Sequence, residues 1–171
     1  MADKMTPEQR HHCMSRIGSK NTRPELIVRS WLWQQGYRYR VNVKRLPGSP
    51  DIVLPRYSTA IFVNGCFWHA HEDCDRYRVP HTNVDFWTAK FQRNKARDER
   101  NYRLLHKMGW YVLVVWECQL EKDKRRDTLI ALSRRLSQIY LTTHDAKVYS
   151  HVPDHGDLER AAAEPEIVYG K

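Results

Sequence analysis

The chain has 171 residues, 41% of them hydrophobic and 11% aromatic, which suffices for the core of one domain with tails and excludes a wholly disordered protein. Its 29 Lys and Arg residues against 20 Asp and Glu residues give a net charge of +9, which favours a polyanionic partner. The longest apolar run, residues 110–116, is too short to span a membrane, and residues 1–16 are too polar for a signal peptide. We therefore expect a cytoplasmic protein with no membrane partner.

The positive charge is concentrated in two blocks. Residues 1–49 carry ten bases and three acids, and residues 85–126 carry eleven bases and six acids, whereas residues 145–171 carry three bases and six acids. Either basic block alone could be a solvated helix face, but the two together favour contact with a phosphate backbone.

Capping signals predict where the first two helices begin. Thr6-Pro7-Glu8-Gln9 starts a short basic helix that should end at Gly18. Thr22-Arg23-Pro24-Glu25 is a second capping box, and the apolar stripe that follows it predicts a helix ending at Gly36.

Strands and helices alternate along the rest of the chain. In chain order we predict strands at 37–43, 51–54 and 59–63, a helix capped by Thr82 or Asn83 that stops at Gly109, a buried strand at 110–116 and a helix at 123–140. This order indicates the α/β class, with a small mixed sheet flanked by helices.

Three segments follow from this pattern. Residues 1–20 form a basic N-terminal helix or arm, residues 21–141 form the main domain, and residues 142–171 form an acidic tail that we expect to be disordered.

One cluster of cysteine and histidine has the composition of a metal site. Cys66-x4-His71-x2-Cys74, followed by Cys118 after a strand, offers three thiolates and one imidazole, which predicts a closed structural zinc site. By spacing alone His69 is an equally plausible ligand, and three buried cysteines beside surface histidines are the alternative to any metal. The chain lacks the His-Glu-x-x-His motif of zincins and the ligand pattern of zinc deaminases.

Asp51 is a candidate ligand for a divalent cation. It directly follows Pro50 at the start of a predicted strand, where a carboxylate can hold a cation against a phosphate. An Asx cap of the turn is the alternative. The next strand, residues 59–64, contains no second acid and no lysine, so a metal here would need a backbone carbonyl and waters.

Five features occur in an order that resembles the very short patch repair (Vsr) endonucleases. They are a basic N-terminal helix, Pro50-Asp51, Gly65-Cys66-Phe67-Trp68-His69, Phe86-Trp87 and Trp116-Glu117-Cys118, and Lys90, Asn94 and Arg97-Asp98 add to the match, which covers roughly residues 5–122. The resemblance implies a fold related to the type II restriction enzymes, of the PD-(D/E)XK kind, with a structural zinc. It also implies strand-specific nicking 5′ of the thymine in T·G mismatches left by 5-methylcytosine deamination.

The resemblance also assigns roles to residues of the site. Asp51 and the main-chain carbonyl of Val63 would bind magnesium, and Glu25 would hold metal-bound water. His69 would act in proton transfer or polarise the phosphate. For zinc, it favours His71 over His69, together with Cys66, Cys74 and Cys118.

One position departs from the family pattern. The family usually has a histidine directly before the Gly-Cys pair, where this chain has Asn64. An asparagine can orient a water by hydrogen bonding but cannot accept its proton at neutral pH. The departure predicts slow nicking, or a transfer of the proton to His69 or to a metal-bound hydroxide.

Further residues would contact DNA according to the resemblance. Phe67, Trp68 and Trp87 would enter the duplex beside the mismatch, although ordinary core packing is the local alternative for Trp87. The basic residues of the first helix would face the minor groove; they are Arg10, Arg16 and Lys20.

The implied partners are double-stranded DNA with a T·G mismatch and, functionally, a cytosine-5 methyltransferase and the general mismatch-repair proteins. A monomer suffices for one asymmetric nick, made at the bacterial nucleoid. Two other interpretations remain open from the sequence. One is a zinc-stabilised mismatch-binding protein with little or no nicking activity, and the other is a basic structural protein with a zinc-clamped fold.

Overall fold

A computed structural model describes residues 20–72 and 74–149, together with Thr6, Gln9 and Gly18. The Thr6 backbone N–H donates to Gln9 Oε1 at 3.0 Å and the Gln9 backbone N–H donates to Thr6 Oγ1 at 3.2 Å, the pattern of the predicted capping box. The rest of the predicted first helix, including Arg10 and Arg16, lies outside the described residues, as does the chain after Tyr149.

The described chain alternates helices and strands as predicted. Its elements are α1 (Arg23–Gln34), β1 (Arg40–Val41), β2 (Ile52–Leu54), β3 (Thr59–Asn64), α2 (Val84–Lys107), β4 (Tyr111–Trp116) and α3 (Arg125–Tyr149). The four strands form one sheet in the order β1-β2-β3-β4. The β1–β2 and β2–β3 pairs are antiparallel and the β3–β4 pair is parallel, which confirms a small mixed sheet of the α/β class.

Helices cover both faces of this sheet. On one face α1 and α3 pack on the strands through buried aliphatic side chains, including Val28, Leu32, Ile61, Leu132 and Leu136. On the other face α2 packs through Leu105 and Tyr102 against Val53, Ala60 and Phe62. Burial of these side chains on both faces fixes the register of β3, the central strand that leads into the site.

The loop before β2 is shaped by a glycine. Gly48 has φ +73°, and a Cβ atom there would lie 2.9 Å from Nδ2 of Asn101 on α2 and 3.1 Å from the ring of Phe62. Only glycine combines this backbone conformation with such a close approach. The loop therefore packs tightly on α2. It ends at the buried Pro50, which places Asp51 directly before β2.

The structure corrects the extent of three predicted elements. The predicted strand 37–43 shortens to Arg40–Val41, because Asn42 adopts φ 48° and ends the pairing. The predicted buried strand 110–116 begins at Tyr111 and is mostly half-buried, with Val115 as its one buried residue, because β4 pairs with β3 on one side only.

The third correction concerns the C-terminal helix. α3 continues to Tyr149, so the prediction of a disordered segment beginning at 142 is wrong for residues 142–149. No glycine or proline interrupts residues 123–149, and the hydroxyls of Thr142 and Thr143 donate to the carbonyls four residues earlier, at 2.9 and 2.7 Å. In the part of the chain that the structure describes, no helix has the length and apolar character needed to cross a membrane.

Candidate functional site

Asp51 lies where β2 begins and is anchored by a neighbouring strand. Its Oδ2 atom accepts a hydrogen bond from the backbone N–H of Val63 on β3, at 2.8 Å. Burial raises the pKa of the Asp51 carboxyl above its ordinary value; the Val63 hydrogen bond opposes this shift, and the negative charge of Glu25 adds to it. Arg29 already lowers the Asp51 pKa, and a further positive charge near this carboxylate would stabilise its ionised form.

A buried ion pair on α1 lies beside Asp51. Glu25 and Arg29 are 3% and 7% exposed, and Arg29 Nη2 donates to Glu25 Oε2 at 2.6 Å and to the Asp51 carbonyl at 3.4 Å. Glu25 Oε1 also accepts hydrogen bonds from the Thr22 backbone N–H, at 3.3 Å, and from the Thr22 hydroxyl, at 2.8 Å. The Thr22 groups at the helix N-terminus and Arg29 together fix the Glu25 carboxylate next to Asp51.

His69 is oriented by a carboxylate on α2. Its Nδ1 atom lies 2.5 Å from Oδ2 of Asp98, and both side chains are mostly buried. A hydrogen bond from Nδ1 to a carboxylate fixes the ring and its tautomer, which leaves Nε2 as the nitrogen that can accept a proton. His69 also lies close enough to Asp51 for its charge to lower the Asp51 pKa.

The turn after β3 places two neighbouring histidines, His69 and His71, at different sites. Ala70 adopts φ 47°, a left-handed conformation that is uncommon outside glycine, and the His71 N–H donates to the Cys66 carbonyl at 3.0 Å. The tight turn places His69 against Asp98 and His71 among the cysteines.

The ligand cluster predicted for zinc is assembled in the structure. The ligand atoms of Cys66, His71, Cys74 and Cys118 all lie within 4.8 Å of one another, and Cys118 Sγ lies 3.5 Å from His71 Nδ1. Burial raises the pKa of the Cys66 thiol to about 12. His71 lies in this cluster, whereas His69 bonds to Asp98.

A stripe on α2 supports the end of β3 and the turn that follows it at three points. Asn94 Nδ2 donates to the Trp68 carbonyl at 2.8 Å, Asp98 bonds to His69, and the Tyr102 hydroxyl accepts a hydrogen bond from Asn64 Nδ2 at 3.1 Å. Residues four apart share a helix face, so one face of α2 meets the loop and the end of β3. Asn64 itself is 4% exposed.

The three residues predicted to enter the duplex, Phe67, Trp68 and Trp87, form an aromatic cluster beside this site. The Phe67 ring packs edge-on against Trp68 at 5.2 Å and against Trp87 at 5.3 Å, and the Trp68 and Trp87 centroids are 6.3 Å apart. Lys90 Nζ lies 5.1 Å from the centroids of both tryptophans. Phe86, 54% exposed, extends the cluster towards solvent.

An open cavity of about 540 Å³ adjoins the site. Its lining includes Asn64, His69, Asp98 and Tyr102, together with His71 of the cysteine cluster and Trp116, which stacks on His71. Asp51 is not among the residues that line this cavity. Of the predicted backbone-contacting residues, Lys20 is exposed, while Arg10 and Arg16 lie outside the described residues.

Three residues of the site have no role predicted from the sequence. Arg29 follows Glu25 by four positions on a predicted helix, a spacing that signals an ion pair. Asp98 and Tyr102 share the same spacing on α2, but their partners, His69 and Asn64, are 29 and 38 residues away in sequence. Only the packing of α2 on the sheet brings these pairs together.

Comparison with known proteins identifies the class of enzyme. The family model described as DNA mismatch endonuclease Vsr matches residues 2–76. The chain is 45% identical over 139 residues to the type II nicking enzyme V.XorIIP of Xanthomonas oryzae pv. oryzae, a match covering 81% of this chain and 97% of that one. It is 47% identical over 137 residues to the type II nicking enzyme V.NmeAIP of Neisseria meningitidis, covering 80% and 97%.

A third relative carries the family description as its own name. The DNA mismatch endonuclease Vsr of Escherichia coli K12 is 40% identical over 138 residues, which cover 81% of this chain and 87% of the relative. An α/β fold with an anchored aspartate, an oriented histidine and relatives of this kind defines a DNA nicking endonuclease. The chain belongs to the Vsr family.

Proposed function

We propose that this protein is a magnesium-dependent endonuclease that nicks double-stranded DNA 5′ of the thymine in T·G mismatches. These mismatches arise from deamination of 5-methylcytosine, and the nick initiates very short patch repair. The observation that carries the proposal is the convergence of Asp51, His69 and Asn64 around the end of β3 in a chain of the Vsr family. The E. coli relative is named a DNA mismatch endonuclease.

The residues around Asp51 fit a divalent cation. Val63 anchors one oxygen of the Asp51 carboxylate, which leaves the other oxygen and the Val63 main chain as hard oxygen ligands of the kind Mg²⁺ prefers. A bound cation would stabilise the negative charge that develops on the phosphate. The raised Asp51 pKa supports the fit, because a cation would offset the buried negative charge of Asp51 and Glu25.

Two side chains of the protein, His69 and Glu25, would then act on the attacking water and its proton. The water oxygen forms a new bond to phosphorus while the bond to the leaving sugar oxygen breaks, and the water's proton must pass to a base. His69, held through Nδ1 by Asp98, presents Nε2 for proton transfer or for polarising the phosphate. Glu25 would orient water near Asp51, held by its bonds to Arg29 and Thr22.

The cysteine cluster fits zinc in a structural role. Three sulfur ligands and one nitrogen, mutually within 4.8 Å, form the closed set that structural Zn²⁺ takes. The site would tie the turn after β3 to the end of β4. Since no ligand position is left for water, this metal would support the site without acting on the phosphate.

The aromatic cluster supports recognition of mismatches. We propose that Phe67, Trp68 and Trp87 enter the duplex beside the T·G pair, where unstacking costs least because pairing is already poor. The exposed Phe86 and the cationic Lys90 border the same cluster, where a phosphate backbone would pass. Lys20, with Arg10 and Arg16 of the N-terminal arm, would add phosphate contacts.

We also propose the biological setting that this activity requires. The sheet would be of the restriction-endonuclease type, and the protein would act as a monomer on DNA in the bacterial cytoplasm. Its substrate presupposes a cytosine-5 methyltransferase in the same cell, and its nick presupposes repair proteins that act downstream.

Replacing Asp51 tests the proposal directly. Asp51→Ala should abolish nicking of a T·G duplex in Mg²⁺ while mismatch binding stays within about threefold of the wild-type affinity, because Asp51 contributes to chemistry and not to DNA contacts. Asp127→Ala, at an exposed position on α3, is the matched control and should nick normally. Nicking by Asp51→Ala at the wild-type rate would refute the assignment.

A further inference from the structure

We propose that Tyr102 is a positioning residue for the nicking reaction, which orients the Asn64 amide so that its Oδ1 atom faces the attacking water. The inference rests on the proposed function, because it places Asn64 beside the water. It concerns this chain in particular, in which an amide occupies the position before Gly65-Cys66.

The hydrogen bond between the two side chains fixes the direction of the amide. Asn64 Nδ2 donates to the Tyr102 hydroxyl at 3.1 Å. In a planar amide the nitrogen and oxygen point to different sides, so Oδ1 is turned away from Tyr102. Within residues 20–72 and 74–149, Oδ1 accepts no hydrogen bond, and it is not one of the fully buried atoms left without a partner.

The Asn64 side chain lies in the wall of the cavity that His69 also lines. Asn64, His69, Asp98 and Tyr102 all contribute to its wall. A water in this cavity can donate a hydrogen to Oδ1 and keep a lone pair for phosphorus, whereas the amide NH₂ group would compete for that lone pair. Asn64 only orients the water, and the proton passes to a base such as His69 Nε2.

Tyr102 is itself held rigidly enough for this role. Its ring packs on Phe62 with centroids 5.0 Å apart, and it lies on the face of α2 that also carries Asp98. Burial raises the Tyr102 pKa above its ordinary value, so the hydroxyl stays neutral around pH 7. Replacement by Phe would keep the ring packing and remove only the group that fixes the amide.

The test is a double-mutant cycle on single-turnover nicking. Wild type, Tyr102→Phe, Asn64→Ala and the double variant are compared on the same T·G duplex in Mg²⁺, with melting temperature and DNA affinity measured for each protein. Tyr37→Phe is the matched control, because it removes a half-buried hydroxyl that donates to the Ser133 carbonyl at 3.4 Å on the opposite face of the sheet.

We expect Tyr102→Phe to lower the single-turnover rate about 10-fold, as loss of one orienting hydrogen bond would, with DNA affinity unchanged. In the Asn64→Ala background the same change should alter the rate less than about twofold. Tyr37→Phe should nick as fast as wild type.

Other outcomes separate this inference from the proposed function. If Tyr102→Phe nicks at the wild-type rate, or loses as much activity in the Asn64→Ala background, Tyr102 does not act through Asn64 and the inference is wrong. If the wild type nicks matched DNA equally well, the mismatch function fails, and the cycle run on that duplex still tests Tyr102. A wild type that nicks no duplex refutes both.

Discussion

At the scale of single residues, the ionised Asp51 carboxylate has a proposed role in chemistry and also lowers the stability of the fold. The carboxylate is partly buried and faces the negative charge of Glu25. Its folded-state pKa lies above the ordinary 3.8, so the folded protein favours the protonated form. That stabilising contribution is complete below about pH 3.8 and is lost as the pH rises through the folded-state pKa.

Asp51→Asn should therefore stabilise the protein at pH 7 while it abolishes nicking. The amide oxygen keeps the hydrogen bond from Val63 and carries no charge, so we expect the melting temperature in magnesium-free buffer to rise by a few degrees. The gain should shrink as the pH falls below the Asp51 pKa, which thermal denaturation at several pH values would measure. A lower melting temperature at pH 7 would contradict this account.

Asn64 is the position at which the resemblance to the Vsr family implies a histidine. Asn64→His would place a group that can accept a proton next to the cavity of His69 and Asp98. Because a general base contributes about 100- to 10,000-fold to a rate, we expect nicking at neutral pH to become at least about 10-fold faster. Single-turnover kinetics would measure the change, with Asn64→Ala as the control without an amide. An unchanged rate would show that the proton already has an efficient acceptor.

At the scale of elements, the turn after β3 depends on two supports. The stripe of Asn94, Asp98 and Tyr102 on α2 holds one side of the turn, and the cysteine cluster holds the other. The proposed zinc would join this turn to the 3-10 turn Glu117–Leu120 that follows β4. Loss of the metal should therefore loosen His69 and the aromatic cluster as well as the ligands.

Cys118→Ala should remove zinc and destabilise the fold. A structural zinc contributes several kcal/mol, so we expect the melting temperature to fall by about 10 °C or more. Metal analysis should find one zinc per wild-type chain and almost none in the variant. Cys13→Ser, which changes the cysteine outside the predicted ligand set, is the control and should keep its zinc. A variant with full zinc content would contradict the ligand assignment.

Some elements were predictable from local signals and others were not. The capping box at Thr22 and Glu25 predicted α1, and the alternating apolar residues predicted β2 and β3, because these signals act over a few residues. The extent of α3 was underestimated, since acidic composition alone does not end a helix that lacks glycine and proline.

The same limit applies to the site. The candidate metal ligands could be named from residue type and spacing, and the resemblance to the Vsr family distinguished His71 from His69. The pairs Asp98–His69 and Tyr102–Asn64 could not be predicted, because they depend on how a 24-residue helix packs across the sheet. Long-range packing of this kind leaves no signal in the spacing of residues.

At the scale of the whole molecule, the excess of positive charge predicts binding that depends strongly on salt. The net charge is +9, with ten bases in residues 1–49 and eleven in residues 85–126. If the protein neutralises about six phosphates, its affinity for a T·G duplex should fall about 1000-fold between 50 and 200 mM salt. Titrations at several salt concentrations would give the slope. Affinity that does not change over this range would exclude a phosphate-contacting interface.

The measurement that tests the central proposal most directly is the mapping of the nick. Duplexes labelled at each end and carrying one T·G pair, in several flanking contexts, are incubated with the protein and Mg²⁺ beside matched duplexes. The account predicts a single nick, in the thymine strand only, immediately 5′ of the mismatched thymine, and no cleavage of the matched controls. Cleavage of both strands, or equal cleavage of matched DNA, would contradict it.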